Sequence, residues 1–267
     1  MLEKFSVLLS VYINEKPEYL ERCLRSIYEQ DLQADEVVLV EDGPLTEKLY
    51  EVIDFYRGLL PLKTLRLNVN GGLANALNHG LELCNYDLVA RMDTDDISLK
   101  NRFFEQVNFM SLNKNISASS SYIEECNDDM TEVICVKKLP THHSTILSFA
   151  KFRSPLSHPA VIFRKSAVES VGGYPNIYPE DYPLWILMLN KGFQFANLPL
   201  VLVQMRAGDA MISRRGKKFL PGYVACYKLL YSLKMISFYR LQFNIFFQTI
   251  LRNLPSPLIK LIYSFAR

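Results

Sequence analysis

Four strand-like segments, each followed by a helical pattern, occupy the first hundred residues, and this alternation limits the fold more than any other feature of the chain. Residues 5–12 (FSVLLSVY) form a continuous apolar run, as expected of a parallel strand buried on both faces. Pro17 then opens a helix with Leu20, Leu24, Ile27 and Tyr28 on one stripe. Further strands are expected at 36–40, 62–67 and 86–90, and helices at 47–56, 73–83 and 97–112, the last entered through an acidic run. Strands alternating with helices predict an α/β fold, a mainly parallel sheet covered by helices on both faces. On such sheets ligands bind beyond the carboxyl ends of the strands. Asp42 and the run Asp93-Thr94-Asp95-Asp96 both stand just after strands, so one crevice can hold them all.

The rest of the chain is less regular. Strands are expected at 116–123, 132–136, 160–163 and 199–205, with helices at 142–151 and 181–189. There is no internal repeat or low-complexity segment. A length of 267 residues, 49% hydrophobic, provides for a sizeable core and excludes both wholesale disorder and a disulfide or zinc mini-scaffold. The formal net charge of +2 conceals a division. From residue 210 to 267 there are ten Lys or Arg and no Asp or Glu, leaving 20 basic against 28 acidic residues before it. The expected organisation is therefore a catalytic region at 1–209 and a basic, aromatic-rich helical segment at 210–267. The boundary falls near 208–216, where the acids stop. Five scattered cysteines without a C-x-x-C pair read as reduced thiols in a cytosolic protein. The opening residues read as a buried strand rather than a signal peptide, and no apolar stretch reaches the length of a spanning helix.

Chemistry concentrates in the acidic run. Three carboxylates within four residues at a strand end repel one another unless a cation, a sugar hydroxyl or a base neutralises them. Oxygen-only ligands favour Mg²⁺ or Mn²⁺, and a metal held by one or two carboxylates with open positions suits a diphosphate. The plainer alternative is an acidic cap on the following helix. Asp42 can accept hydrogen bonds from a ribose or a base, or can simply be a turn residue before Gly43-Pro44. Asn70-Gly71-Gly72 could bring backbone N–H groups to a phosphate but reads better as a tight turn. Asp181 stands at a helix start, where it can be a cap or the base that a transfer to a hydroxyl requires. Arg206, with Arg214 and Arg215, can steady a diphosphate or be a solvated basic loop. His158, before Pro159, reads as a hydrogen-bonded loop residue, and His142 and His143 as surface residues.

Taken in order, FSVLLSVY, EVVLVEDGP, NGGLANALNHGL, LVARMDTDD, SHPAVIFRKSAV and PEDYPLWILML resemble the family 2 glycosyltransferases over residues 5–206. The resemblance implies a GT-A (Rossmann-like) fold and inverting transfer of a sugar from a nucleotide-sugar donor, with UDP the common nucleotide. It implies that Val11 and Tyr12 line the nucleotide and that Asp42 contacts the base, although Glu41 stands where another Asp is common and could share that contact. It implies that Asp93 and Asp95 meet ribose and metal, with Asp96 a substitute ligand beside Asp95, and that Asp181 of the Glu180-Asp181 pair is the base. The EDGP and DTDD forms with a basic C-terminal segment are similar to bacterial enzymes that assemble O-antigen, capsule or exopolysaccharide repeat units on a polyprenyl diphosphate carrier. The Q-x-x-R-W motif of processive synthases is missing, so transfer of a single sugar is expected.

Two other readings fit the sequence less well. A sugar-phosphate nucleotidyltransferase wants a Gly-rich basic loop after its first strand, where this chain has Tyr12-Ile13-Asn14-Glu15-Lys16. A non-catalytic membrane-bound scaffold would have no use for the acidic positions. The C-terminal segment is expected to dock on the cytoplasmic face of a membrane rather than on nucleic acid, with Phe219, Tyr223, Tyr227 and Tyr231 forming a stripe at i+4 spacing; the plainer alternative is that the stripe is core contact and the segment a helical cover for the catalytic region.

Overall fold

A computed structural model of the chain describes residues 2–207 and 219–253. The first half follows the strand–helix alternation. It comprises β1 (Phe5–Val11), α1 (Pro17–Tyr28), β2 (Glu36–Glu41), α2 (Glu47–Arg57), β3 (Leu62–Arg66), α3 (Leu73–Leu83) and β4 (Leu88–Arg91). After the acidic run come β5 (Ile97–Ser98), α4 (Arg102–Leu112), β6 (Ile116–Cys126), β7 (Val133–Lys137) and α5 (His143–Phe149). A 3₁₀ turn (His158–Ala160) leads into β8 (Ile162–Arg164), α6 (Lys165–Glu169), α7 (Asp181–Asn190) and β9 (Gln194–Arg206). Two further helices follow, α8 (Leu220–Ser232) and α9 (Phe238–Asn253).

The strands form one sheet in the order β3-β2-β1-β4-β8-β6-β9-β5, with β7 pairing to β6. β3, β2, β1 and β4 are parallel, so their carboxyl ends and the loops after them meet along one edge. The period-two alternation of β1 explains why its whole run is apolar. Phe5, Val7, Leu9 and Val11 pack with α1, α2 and α4 on one face, while Leu8 packs with α3 and α7 on the other.

Two elements differ from expectation. Ile97 and Ser98 do not begin a helix: they pair antiparallel with Gln204 and Val203 of β9, and α4 starts only at Arg102. The acidic run is therefore a link between two strands, not a helix cap. β9 begins at Gln194 rather than at Pro199. Proline has no N–H to give a ladder, and the register with β6 shifts between Leu198 and Val201, so Pro199 marks an irregularity inside a long strand instead of its start.

α8 and α9 close on α7. Tyr182 and Ile186 of α7 share a buried cluster with Cys226, Tyr227, Leu230, Ile236 and Leu241. This reverses the expected orientation of the aromatic stripe. Tyr227 is buried with its hydroxyl donating to the Phe152 carbonyl at 2.8 Å, the Tyr223 ring lies 6.0 Å from that of Tyr182, and Phe219 lies 4.8 Å from Tyr178. The stripe faces protein because α7 offers it apolar surface and the chain after α5 offers the Phe152 carbonyl, and only Tyr231 at its end is exposed. The expected boundary at 208–216, with Arg214 and Arg215, lies outside the described residues.

Gly222 makes this closure possible. A β-carbon there would sit 1.6 Å from the Tyr178 carbonyl oxygen, a backbone atom that cannot step aside alone. Gly222→Ala should therefore displace α8 and lower stability by about 1–3 kcal/mol or more in chemical denaturation. Gly58→Ala, whose added carbon would meet only the Phe55 carbonyl at 3.7 Å, should be neutral or mildly stabilising. Equal denaturation midpoints for Gly222→Ala and wild type would show that α8 does not rest on the Tyr178 segment.

Candidate active site

The parallel edge gathers the acidic residues as the strand order requires. Val11, the last residue of β1, is buried and pairs in register with Glu41, and the Asp42 N–H donates to the Val11 carbonyl at 2.8 Å. Tyr12 follows in the open and is 41% exposed. Glu41 is buried, and its carboxylate accepts from Arg66 Nε at 2.6 Å while the Arg66 guanidinium lies over the Tyr50 ring. Glu41 is thus neutralised by the β3 edge of the sheet.

Asp42 serves as a clamp. Its two carboxylate oxygens accept from the N–H groups of Gly71 and Gly72 at 2.7 and 3.0 Å. The approach depends on Gly43, which has φ +88° and whose added β-carbon would lie 2.8 Å from Asn70 N. The glycine pair therefore spends its N–H groups on Asp42 rather than on a phosphate, beyond the tight turn expected of it. Each carboxylate oxygen keeps a further acceptor position, so the clamp leaves Asp42 able to receive a base or ribose donor.

The DTDD run is held by two arginines. Arg91 is fully buried at the end of β4, and its guanidinium forks onto both oxygens of Asp93, one bond being 2.7 Å. Buried Arg102 donates to the Arg91 carbonyl at 2.7 Å and to Ser98 Oγ at 2.9 Å, which fixes the strand end from behind. Asp96 is buried and its Oδ1 accepts from the Arg206 N–H at 2.9 Å, tying the run to the end of β9. Thr94 donates to Glu15 at 2.6 Å, which brings a further carboxylate from the loop after β1. Burial, with the charges of Asp93 and Glu15, pushes the Asp95 carboxyl up to about 7. Burial and the charges of Asp95 and Asp93 raise Asp96 as well.

Countercharge is present in part. The Arg206 guanidinium lies 3.5 Å from the centre of the Tyr19 ring, and its three nitrogens are buried without a hydrogen-bond partner among the described residues. Asp96 Oδ2 is in the same condition. Unsatisfied acceptors and raised carboxyls fit a hard divalent cation, and a guanidinium with unused donors fits phosphate oxygens. Among the described residues no three His, Cys, Asp or Glu side chains converge on one metal position. A cation here would have one or two protein carboxylates, leaving its other positions to a diphosphate and water.

The second acidic pair stands at the N-terminus of α7. Asp181 is buried, accepts from Ser154 Oγ at 2.7 Å, and is raised by burial against the lowering effect of that bond. Burial, with the charge of Asp181, pushes the Glu180 carboxyl up to about 7. His158 Nδ1 lies 3.6 Å from Glu180, and its Nε2 pairs with the Tyr174 hydroxyl at 3.1 Å. Burial and the nearby Arg91 charge push His158 well below its ordinary value, so it is neutral. The end of β4 and the α7 pair meet through the 3₁₀ turn: the Arg91 N–H donates to the Val161 carbonyl at 2.9 Å, and His158 of that turn lies 3.6 Å from Glu180.

Sequence reasoning missed Glu15, Arg91 and Tyr19. Arg91 carried a readable signal, since an arginine inside an apolar strand two residues before Asp93 lies on the same side of the chain. Tyr19 and Glu15 carried none, because their roles arise from a loop and a helix start folding over the sheet edge. His158 is hydrogen-bonded, as expected, but buried, linking Tyr174 and Glu180, and His143 accepts from the Phe195 N–H at 3.2 Å rather than being idle surface.

Four raised carboxyls set a pH dependence. Unfolded, Asp95, Asp96 and Asp181 would titrate near 3.8 and Glu180 near 4.5. Between those values and about 7, reached by Asp95 and Glu180, the folded ligand-free protein keeps protons that the unfolded chain has released. The contribution of Asp95 and Glu180 is full below about pH 4 and is lost as pH rises through about 7, and those of Asp96 and Asp181 have the same sign. Denaturation midpoints of ligand-free protein should therefore be higher near pH 5 than near pH 7.5. Asp95→Asn should flatten the decline and add on the order of 1–3 kcal/mol at the higher pH. A wild-type midpoint that climbs over this interval would contradict the burial of these groups.

Comparison with known proteins gives the site its family. The chain is 41% identical over 261 residues to the amylovoran biosynthesis glycosyltransferase AmsE of Erwinia amylovora, covering 97% of each chain. It is 39% identical over 262 residues to the UDP-Gal:alpha-D-GlcNAc-diphosphoundecaprenol beta-1,3-galactosyltransferase of Escherichia coli, covering 97% of this chain and 95% of that one. Among solved structures, S. aureus TarS 1–349 in complex with UDP-GlcNAc superposes with a TM-score of 0.67 at 21% identity, over 85% of this chain and 66% of that one. The mannosyltransferase PcManGT of Pyrobaculum calidifontis in complex with GDP-Man and Mn²⁺ gives 0.65 at 19% identity, over 85% and 64%. These likenesses show the GT-A fold expected from the sequence. Residues 6–172 match the sequence model of glycosyl transferase family 2, and with it the chain belongs to that family.

Proposed function

We propose that the protein transfers a single hexose or N-acetylhexosamine, with inversion, from a UDP-sugar to a saccharide carried on polyprenyl diphosphate, in bacterial surface polysaccharide synthesis. The observation that carries this reading is that two acidic groups are tied to one strand end: Asp93 pairs with Arg91 at the end of β4, and the turn bonded to Arg91 carries His158, which lies 3.6 Å from Glu180, beside Asp181. A direct displacement needs charge neutralisation at a leaving diphosphate and a base at the opposite face of the sugar, and this arrangement separates the two tasks. The E. coli relative named for a diphosphoundecaprenol-linked acceptor matches nearly end to end, which supports the lipid-linked acceptor here.

In this reading Val11, Tyr12 and Asp42 bind the nucleoside. Glu41, already paired with Arg66, shapes the pocket through β3. Asp93, held open by Arg91, receives the ribose. Asp95 and Asp96 would hold Mn²⁺ or Mg²⁺, which when bound neutralises charge on the diphosphate. Arg206, already ordered on Tyr19, donates to the same phosphates. Asp181 takes the proton from the acceptor hydroxyl, and its raised carboxyl makes it a stronger base than a solvated aspartate. Attack on the anomeric carbon then breaks its bond to the diphosphate in one step, with no enzyme nucleophile. Residues 1–209 form the catalytic region in this scheme and the basic C-terminal segment associates with the cytoplasmic face of the membrane. Among the described residues no helix is long and apolar enough to cross one.

The test is transfer of labelled sugar from UDP-galactose, UDP-glucose or UDP-N-acetylglucosamine to a GlcNAc-diphosphate-lipid acceptor, with and without Mn²⁺. Asp181→Asn keeps the shape and the Ser154 hydrogen bond but removes basicity. Turnover should fall by about 10²–10⁴ while UDP binding persists. Asp95→Asn should abolish metal-dependent transfer although the ligand-free protein becomes more stable. Undiminished transfer in EDTA would remove the metal, and near-normal turnover of Asp181→Asn would move the base to another carboxylate.

A further inference from the structure

α9 is amphipathic in the reverse sense. At 100° per residue, Tyr239, Phe243, Phe246, Phe247 and Ile250 fall within an arc of about 100°. All five are exposed, from 47% at Ile250 to 85% at Tyr239. The opposite side, turned to the protein, carries Leu241, Asn244, Gln248 and Arg252, all buried. Asn244 donates to the Lys151 carbonyl at 2.8 Å, and the Arg252 guanidinium lies 5.1 Å from the Tyr223 ring and 5.4 Å from Phe219. These polar contacts fix which side of the helix faces out. Phe243 and Phe247 stack on one another with their planes 15° apart, and Phe238 and Tyr231 extend the exposed surface at its start. The result is an aromatic strip about 17 Å long. A helix folding in water alone would turn the other way, so this side is built for a medium that is not water.

Charge identifies the medium. Arg240 flanks the strip with its guanidinium 5.7 Å from the Phe243 ring, and exposed Lys234 stands at the turn between α8 and α9. No Asp or Glu occurs from residue 210 to 267. A second copy seated on this face by a two-fold axis would bring like charges together. Residues 254–267 carry Lys260 and Arg267 and again no acid, so they too would add charge of the same sign. An anionic lipid surface supplies the missing sign, and rings with polar tips or edges are suited to headgroup depth.

We propose that α9 lies in the plane of a bilayer containing anionic lipid, with Tyr239, Phe243, Phe246, Phe247 and Ile250 inserted at the level of the headgroups. This deepens the membrane association of the proposed function by assigning it a surface, and the purpose of the docking, access to a lipid-linked acceptor, rests on that function. The test is sedimentation of the full chain, without substrate, with vesicles of phosphatidylethanolamine and phosphatidylglycerol or of phosphatidylcholine alone. Wild type should bind the anionic vesicles more strongly, and high salt should weaken binding without abolishing it. The triple variant Phe243→Ser, Phe246→Ser, Phe247→Ser should lose at least about tenfold in binding. Its melting temperature and its transfer to a short-chain, water-soluble acceptor should match wild type, since the three rings touch neither the core nor the crevice. Wild type that stays in the supernatant overturns the proposal, and light scattering then distinguishes a second copy on the face from coverage by residues 254–267. Vesicle binding by the triple variant equal to wild type overturns it as well. Loss of transfer in both proteins with vesicle binding intact would instead count against the proposed function alone.

Discussion

Arg91 is a fully buried cation whose ion-pair partner is Asp93, and the acidic crevice depends on it. A guanidinium taken out of water must be matched by charge and hydrogen bonds, and Asp93 supplies both in a forked geometry. The same positive charge reaches His158, which it helps to hold neutral, and Glu180 and Asp181, whose raised carboxyls it moderates. Arg91 is placed by β4, the strand on which the parallel and antiparallel halves of the sheet join through β1 and β8. Removing it would leave Asp93 unpaired beside three other acids, while the backbone around it is held independently by Arg102. The crevice is thus an electrostatic assembly around one internal cation, supported by a second whose guanidinium burial pulls down to about 9.

The parts of the fold that could be read from the sequence are those in which local pattern and tertiary environment agree. β1 and β2 have apolar, buried middles because both of their faces are covered, and the turn after β2 carries Asp42 and Gly43. The DTDD run could be located because strand and charge change within two residues. Ile97-Ser98 could not be assigned, since nothing in those two residues marks a strand: they are one only because β9 arrives from a hundred residues away. Pro199 misled for a related reason, as a local breaker was absorbed within a ladder that runs on both sides of it. For the site, charged residues after strands were readable as candidates, but their partners were not. That Glu41 faces Arg66 while Asp42 binds two glycine N–H groups follows from the pleat and from β3, neither of which a single strand reveals.

The C-terminal helices turn their aromatic stripes in opposite directions, and only α9 inverts the usual relation between stripe and surface. α8 carries its aromatic residues at regular spacing and buries them, because Tyr182 and the Phe152 carbonyl accept both ring and hydroxyl. α9 carries a similar complement and exposes it, because Asn244 and Arg252 find better partners inward than any phenylalanine could. Aromatic content and charge alone cannot separate these two outcomes. What separates them is which side of each helix can satisfy its polar groups, a property of the neighbours.

The raised carboxyls and Arg206, whose guanidinium nitrogens have no hydrogen-bond partner among the described residues, belong to one account. Folding brings Asp95 and Asp96 together at a cost in the ligand-free protein, and it holds a guanidinium nearby with its donors unused. A diphosphate alone would satisfy Arg206 but add negative charge beside the acids. A cation alone would relieve the acids but leave Arg206 without acceptors. Only the two together complete both halves, so each should strengthen the binding of the other, as reciprocal coupling requires. In the proposed reaction the crevice would therefore favour the pair over either component alone, its carboxylates taking the cation and Arg206 the diphosphate.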